Sequence, residues 1–162
     1  MIDYKNYINI ASKRLLKDGF DIKQDRILDM DVTIATKKIF KLTWFATQLN
    51  IFVCMSNVDY ISSDLIKNFS SAALDYGIIF KEGLPRGLQS GVVSFSVLAS
   101  LSIDEDAIKW INKKPKKHFA AFEFPVLYDL NNHEIYYYEK TPMWGAIYYG
   151  FFREFTLKNF KP

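Results

Sequence analysis

The residues able to do chemistry in this sequence fall into a few short stretches. Gly83-Leu84-Pro85-Arg86-Gly87-Leu88-Gln89-Ser90-Gly91 holds three of the chain's seven glycines. Glycine-rich turns expose backbone N–H groups that can hold an anion. Arg86 and Gln89 are the side chains that would complete a ligand or partner loop shaped by Gly83, Gly87 and Gly91. The P-loop spacing G-x-x-x-x-G-K-[ST] is absent, and a strand pattern rather than a helix follows Gly91, which also argues against a dinucleotide fingerprint.

Lys113-Lys114-Pro115-Lys116-Lys117-His118 is the strongest charge cluster. Such a basic patch can meet phosphates, with affinity that falls as salt rises. A local explanation competes with it: Lys113 and Lys114 complement the end of a helix whose start carries Asp104, Glu105 and Asp106. His118 reads as an exposed flank, because adjacent cations favour its neutral form and no sequence neighbour orients it. Asp25, Asp29 and Asp31 lie close enough in sequence to serve a hard cation, although Asp-rich turns are commoner than metal sites and the calcium-loop spacing is missing.

One Cys and two His exclude an intrachain disulfide, a Cys/His zinc cage and a three-His zinc site. No G-x-S-x-G is present, and a Ser/His/Asp triad would have to draw on His118 or His133. No metal and no cofactor is expected. The net charge of +3 rests on lysine far more than on arginine, the residue that forks onto phosphate and guanine, so bulk charge argues only weakly for nucleic acid. The opening residues lack a signal-peptide pattern, and no apolar run reaches membrane-spanning length; a cytoplasmic chain with no membrane partner is expected.

Aromatic residues make up 17% of the chain, and they concentrate between Phe119 and Phe160. Tyr136-Tyr137-Tyr138 must present rings on both faces of a strand, and Trp144, Tyr148, Tyr149, Phe151, Phe152 and Phe155 cover more than half of a helix. Something besides one sheet face must cover them. Tyr136, Tyr138, Trp144 and Tyr148 are the candidates for an aromatic contact surface, in self-association or with a protein partner.

The elements that would position these groups follow from periodicity. Tyr4, Ile8, Ala11 and Leu15 mark a first helix closed by Gly19. A strand broken near Gln24-Asp25 follows, then strands over Val32–Ala35 and Ile39–Thr47, with a turn at Gln48–Asn50. Ile51–Met55 is apolar throughout, as suits a central strand. Ser62 or Ser63 caps a second helix ending at Gly77. Val92–Leu98 is a strand, and Ser102 with Glu105 forms a capping box for a short third helix. Phe119–Leu130 reads as a long strand, with Pro125 marking an edge or a bulge and Glu123 facing solvent. The turn Asn131-Asn132-His133 leads to a returning strand over Glu134–Glu139, and Thr141-Pro142 starts a closing helix. The expectation is one α+β domain over residues 1–162, with a mixed sheet of about five to seven strands in the order α-β-β-β-α-β-α-β-β-α.

From Tyr4 to about Leu98 this order resembles the core of the restriction-endonuclease-like nucleases. In that family an acid on the second strand and a D/E-x-K on the third hold Mg²⁺ and a water. Here the third strand reads Phe52-Val53-Cys54-Met55, and the only D-x-K triplets, Asp3-Tyr4-Lys5 and Asp21-Ile22-Lys23, lie elsewhere. The resemblance is one of topology, and fold alone does not deliver function. The leading functional reading is a non-catalytic binding or interaction protein, a homo-oligomer through its aromatic hairpin and helix. The alternative is a nucleic-acid-associated protein of nuclease-like fold without an intact D/E-x-K site.

Overall fold

The computed structural model of this chain describes residues 3–41, 44 and 47–162. Its elements run α1 (Tyr4–Lys17), β1 (Asp21–Ile27), β2 (Met30–Lys41), β3 (Thr47–Asn57), α2 (Ser63–Phe80), β4 (Ser90–Ser100), α3 (Glu105–Ile111), β5 (Ala121–Asp129), β6 (Glu134–Tyr136) and α4 (Ala146–Phe160). This is the order implied by the sequence, and the fold is α+β. Among the described residues the strands form one six-stranded sheet, ordered β1 to β6 as in the chain. β1 to β3 make an antiparallel meander, α2 and α3 connect the parallel neighbours β3, β4 and β5, and β6 returns antiparallel.

Alternation along the strands separates two cores. Val53, Val93, Phe95, Phe122, Phe124 and Val126 face α1 and α4, while Phe52, Cys54, Val92, Leu98 and Leu127 face α2 and α3. The sheet is thus the middle of three layers, and β4 is buried at every position. Ser94 and Ser96 alternate with Val93, Phe95 and Val97, so their small side chains point at α2 and let the helix come close. A Cβ on Gly77 would sit 3.1 Å from both Phe52 and Val92. Gly77 therefore serves close packing inside α2, which continues to Phe80 rather than ending there.

Several local expectations change for identifiable reasons. β1 runs unbroken through Gln24 and Asp25; the hairpin turns at Leu28 and Asp29, both at positive φ, so β2 is a single strand from Met30. Gln48–Asn50 belongs to β3, paired with β2 on one side and β4 on the other. Of the strand expected to reach Thr47, residues 42, 43, 45 and 46 lie outside the described residues, as does the Tyr4 side chain. The α3 cap is Asp104, whose carboxylate accepts from Asp106 N, rather than Ser102. β6 stops at Tyr136, because the chain then leaves the sheet edge and buries Tyr138 against Tyr149. Pro125 falls on the stretch of β5 with β4 on one side and no described strand on the other, where its missing N–H breaks no ladder.

The aromatic third is mostly core. Tyr149, Phe152, Phe155 and Phe160 of α4 are buried, and Phe95 of β4 lies within 6.1 Å of Phe152, Phe155 and Phe160, centroid to centroid. Tyr7 stacks on Tyr128 at 4.3 Å and donates its hydroxyl to the Phe160 carbonyl at 2.9 Å, tying α1 to the end of α4. Burial first, then Tyr128, pushes the Tyr7 phenol upward; burial, then Tyr138 and Glu123, does the same to Tyr149. Both phenols keep their protons in the folded state to higher pH than in the unfolded chain. Their stabilisation is complete below the ordinary phenol value of 10.0 and is lost above it. Urea midpoints are expected to drop above pH 10 as the unfolding free energy falls by about 1.4 kcal/mol per pH unit for each phenol. Unchanged midpoints up to pH 11 would contradict this burial.

Candidate functional site

At the start of β5 the chain folds back sharply. Ala120 sits at φ 48°, and His118 bridges antiparallel to Ala121. Ala121 and Glu123 share one face of β5, opposite Phe122 and Phe124. The turn therefore lays the His118 ring against Glu123, and Nε2–H donates to Oε2 of the carboxylate at 2.7 Å. Ser70, on the face that α2 turns to the sheet, donates to the other oxygen, Oε1, at 3.2 Å. Glu123 is thus neither solvent-facing nor idle. Its side chain is only 12% exposed, and it orients a histidine whose own side chain remains 32% exposed. The sequence expectation for both residues is corrected, because the orienting partner lies five residues away, across the turn.

His118 and Glu123 sit in a cleft of about 390 Å³ between α2, α3 and the open edge of β5. Lys67 of α2 and Lys113, Lys114 and Lys116 of the loop after α3 line it, with Trp110 and Tyr138 as its aromatic walls. Glu123 is the one carboxylate among the lining residues. The ion pairs of the described residues engage Lys23, Lys38, Lys109 and Lys158, and none engages a cleft lysine. Four lysines without an ion pair among the described residues give the cleft a positive potential that favours anions.

His118 also lines a second cleft of about 310 Å³. Lys117, Phe119, Phe122, Trp144 and Tyr148 line it, and Gly87, Gln89 and Gly91 form its far wall. Phe122 lies parallel to Trp144 at 6.1 Å, and Phe119 is 71% exposed at the mouth. Gly87, at φ 91°, supports that position, since a Cβ there would come within 2.4 Å of the Phe119 ring.

The singled-out residues therefore divide. Lys113, Lys114 and Lys116 enter the first cleft and Lys117 the second, with His118 shared; Gly87, Gln89 and Gly91 join the second. Arg86 lines neither, and Gly83 lies beside Gln48 instead. Tyr138 is buried and reaches only the first cleft, so it is not part of an outer aromatic surface; Trp144 and Tyr148 are half-buried walls of the second. Tyr136 is taken up by Glu134, whose carboxylate accepts a hydrogen bond from its hydroxyl and, ahead of burial, pushes its pKa up to about 12. Lys67, Ser70, Trp110 and Phe119 escape sequence reasoning as site residues, since only the α2 crossover and the Ala120 turn gather them.

The aspartates do not converge. Asp25 accepts from Tyr76 Oη at 2.6 Å and faces Lys23, and Asp31 faces Arg26 at 3.7 Å. Tyr76, then the Arg26 backbone, holds the Asp25 carboxyl below the usual range. Among the described residues no group of three His, Cys, Asp or Glu could hold a metal, and no helix is long and apolar enough to cross a membrane. A further cleft of about 360 Å³ over β1 to β3 carries lysines too, but there Lys38 is paired with Glu82 and Lys23 with Asp25.

No family model, curated protein or solved structure matches the chain.

Proposed function

We propose that this protein binds single-stranded nucleic acid, with backbone phosphates on Lys67, Lys113, Lys114 and Lys116 and a base against Phe119 and Trp144. The observation that carries this reading is that His118 lines both clefts, one lined by unpaired lysines and the other by Phe119 and Trp144. Phosphate contacts supply affinity without sequence preference, and each stacked base adds about 1–3 kcal/mol. Clefts of about 390 and 310 Å³ admit single nucleotides rather than a duplex, and a splayed strand is what aromatic platforms take.

The reading does not lean on the nuclease-like element order, because Phe52, Val53, Cys54 and Met55 are buried and carry no carboxylate. Nor does it lean on association through the aromatic hairpin and helix. Of the rings named for that surface, Tyr138 is buried inside the domain, while Tyr136, Trp144 and Tyr148 stay half-buried.

Fluorescence anisotropy with a labelled oligonucleotide tests the proposal. For four phosphate contacts, log K should fall with log salt at a slope of about −3, and a duplex of the same sequence should bind more weakly. A flat titration at low salt, or duplex binding as tight as single-strand binding, would contradict it.

A further inference from the structure

We infer that His118 is a general base that cleaves bound RNA by activating the ribose 2′-hydroxyl. The inference rests on the nucleic-acid reading above and goes beyond it by naming the substrate class and a reaction. Binding needs only the lysines and the rings; it does not need a histidine hydrogen-bonded to a largely buried carboxylate that is itself fixed by a serine. A carboxylate accepts only, so Nε2 carries the ring proton and Nδ1 is left as the basic nitrogen, with no hydrogen-bond partner among the described residues. His118 lines both the lysine cleft and the aromatic cleft, so a ribose joining a base held in one to its 3′ phosphate held in the other would lie beside it.

The chemistry balances without a co-reactant. Nδ1 takes the 2′-hydroxyl proton, the 2′ oxygen bonds to the adjacent phosphorus, and the bond from phosphorus to the 5′ oxygen of the next nucleotide breaks. The leaving oxygen is protonated by a lysine ammonium or by water, and the proton on His118 returns to solvent. The products are a 2′,3′-cyclic phosphate and a 5′-hydroxyl, with no change of oxidation state. Lysine charge at the cleft stabilises the phosphorane as its negative charge grows. His118 is the catalytic residue; Glu123 and Ser70 are positioning residues that hold its tautomer.

The test incubates the full chain with a single-stranded oligoribonucleotide in excess EDTA, with cleavage read by mass spectrometry and binding by anisotropy on the same strand carrying 2′-deoxyribose throughout. Cleavage to 2′,3′-cyclic phosphate ends is expected, together with binding but no cleavage of the 2′-deoxy strand. His118→Ala and His118→Asn should each lose about 10²-fold or more in rate. Glu123→Gln should lower kcat while KM stays, a split that loss of fold would not produce. Binding of the 2′-deoxy strand with an uncut oligoribonucleotide would overturn the inference and leave the binding reading standing. Failure to bind either strand would overturn both. Equal cleavage by wild type and His118→Ala, or cleavage of the 2′-deoxy strand, would overturn the inference alone.

Discussion

Phe152→Ala is expected to destabilise the protein by about 3–5 kcal/mol, the range for emptying a fully buried phenyl site. Phe152 is buried at the middle of α4, with Phe95, Phe122, Phe124 and Tyr149 within 5.7 Å, centroid to centroid. Those neighbours belong to β4, β5 and α4 itself, so the cavity would open where the helix meets the sheet and could not close by moving one side chain. A domain of this length has about 5–15 kcal/mol of stability to lose. The melting temperature should fall by roughly 6–20 °C, at about 2–4 °C per kcal/mol for this size. An aromatic helix serving as an interface would behave otherwise, since the truncation would then lower the association constant and leave the melting of the monomer within a few degrees. Differential scanning calorimetry at several protein concentrations separates the two, because only an interface makes the shift depend on concentration.

Removing the cleft's charge should have a large effect of the opposite kind. With Lys67, Lys113, Lys114 and Lys116 all changed to Ala, affinity for a single-stranded oligonucleotide near physiological salt should fall about 10²-fold, and the salt slope should become nearly flat. Folding should not suffer. These lysines are exposed and engage no described ion pair, so each substitution is expected within about 0.5 kcal/mol of neutral, and relief of like-charge crowding pushes toward stabilisation. Replacing Lys23, Lys38, Lys109 and Lys158 instead is the matched control, because their charges are already met by Asp25, Glu82, Glu105 with Asp106, and Asp18. Equal loss of binding in the control would mean that net charge, rather than this cleft, attracts the ligand.

The parts of the fold that could be read from the chain are those set by local pattern. Ser62 caps α2 through Leu65 N, Ile51–Met55 is covered on both faces, and Pro125 marks an edge, each for a reason visible within a few residues. Where the reading fails, a tertiary contact overrides a local signal. Gly77 looks like a helix terminator, but α2 needs it there to approach Phe52 and Val92. Ser102 and Glu105 fit a capping box, yet Asp104 is the residue that meets the first turn.

The site follows the same logic. The lysine run was legible as a charge cluster, but its fourth wall, Lys67, comes from a helix far earlier in the chain. Glu123 alternates with Phe122 and Phe124, which suggests a solvated strand face; in fact α2 covers that face and Ser70 satisfies the carboxylate. Pairing between His118 and Glu123 depends on a left-handed Ala120, a conformation that alanine does not advertise.

The three tryptophans provide the most direct test of nucleic-acid binding at the paired clefts. Trp110 lines the lysine cleft, Trp144 lines the aromatic cleft, and Trp44 is buried against Tyr148 and Phe151 in the core, outside both. Their indole N–H resonances, assigned by single Trp→Phe variants, report on each region separately during titration with a 2′-deoxy single strand. The Trp110 and Trp144 signals are expected to shift together along one binding curve, with Trp44 moving least. Saturable binding that leaves Trp110 and Trp144 in place would put the ligand elsewhere on the protein and overturn nucleic-acid binding at these clefts.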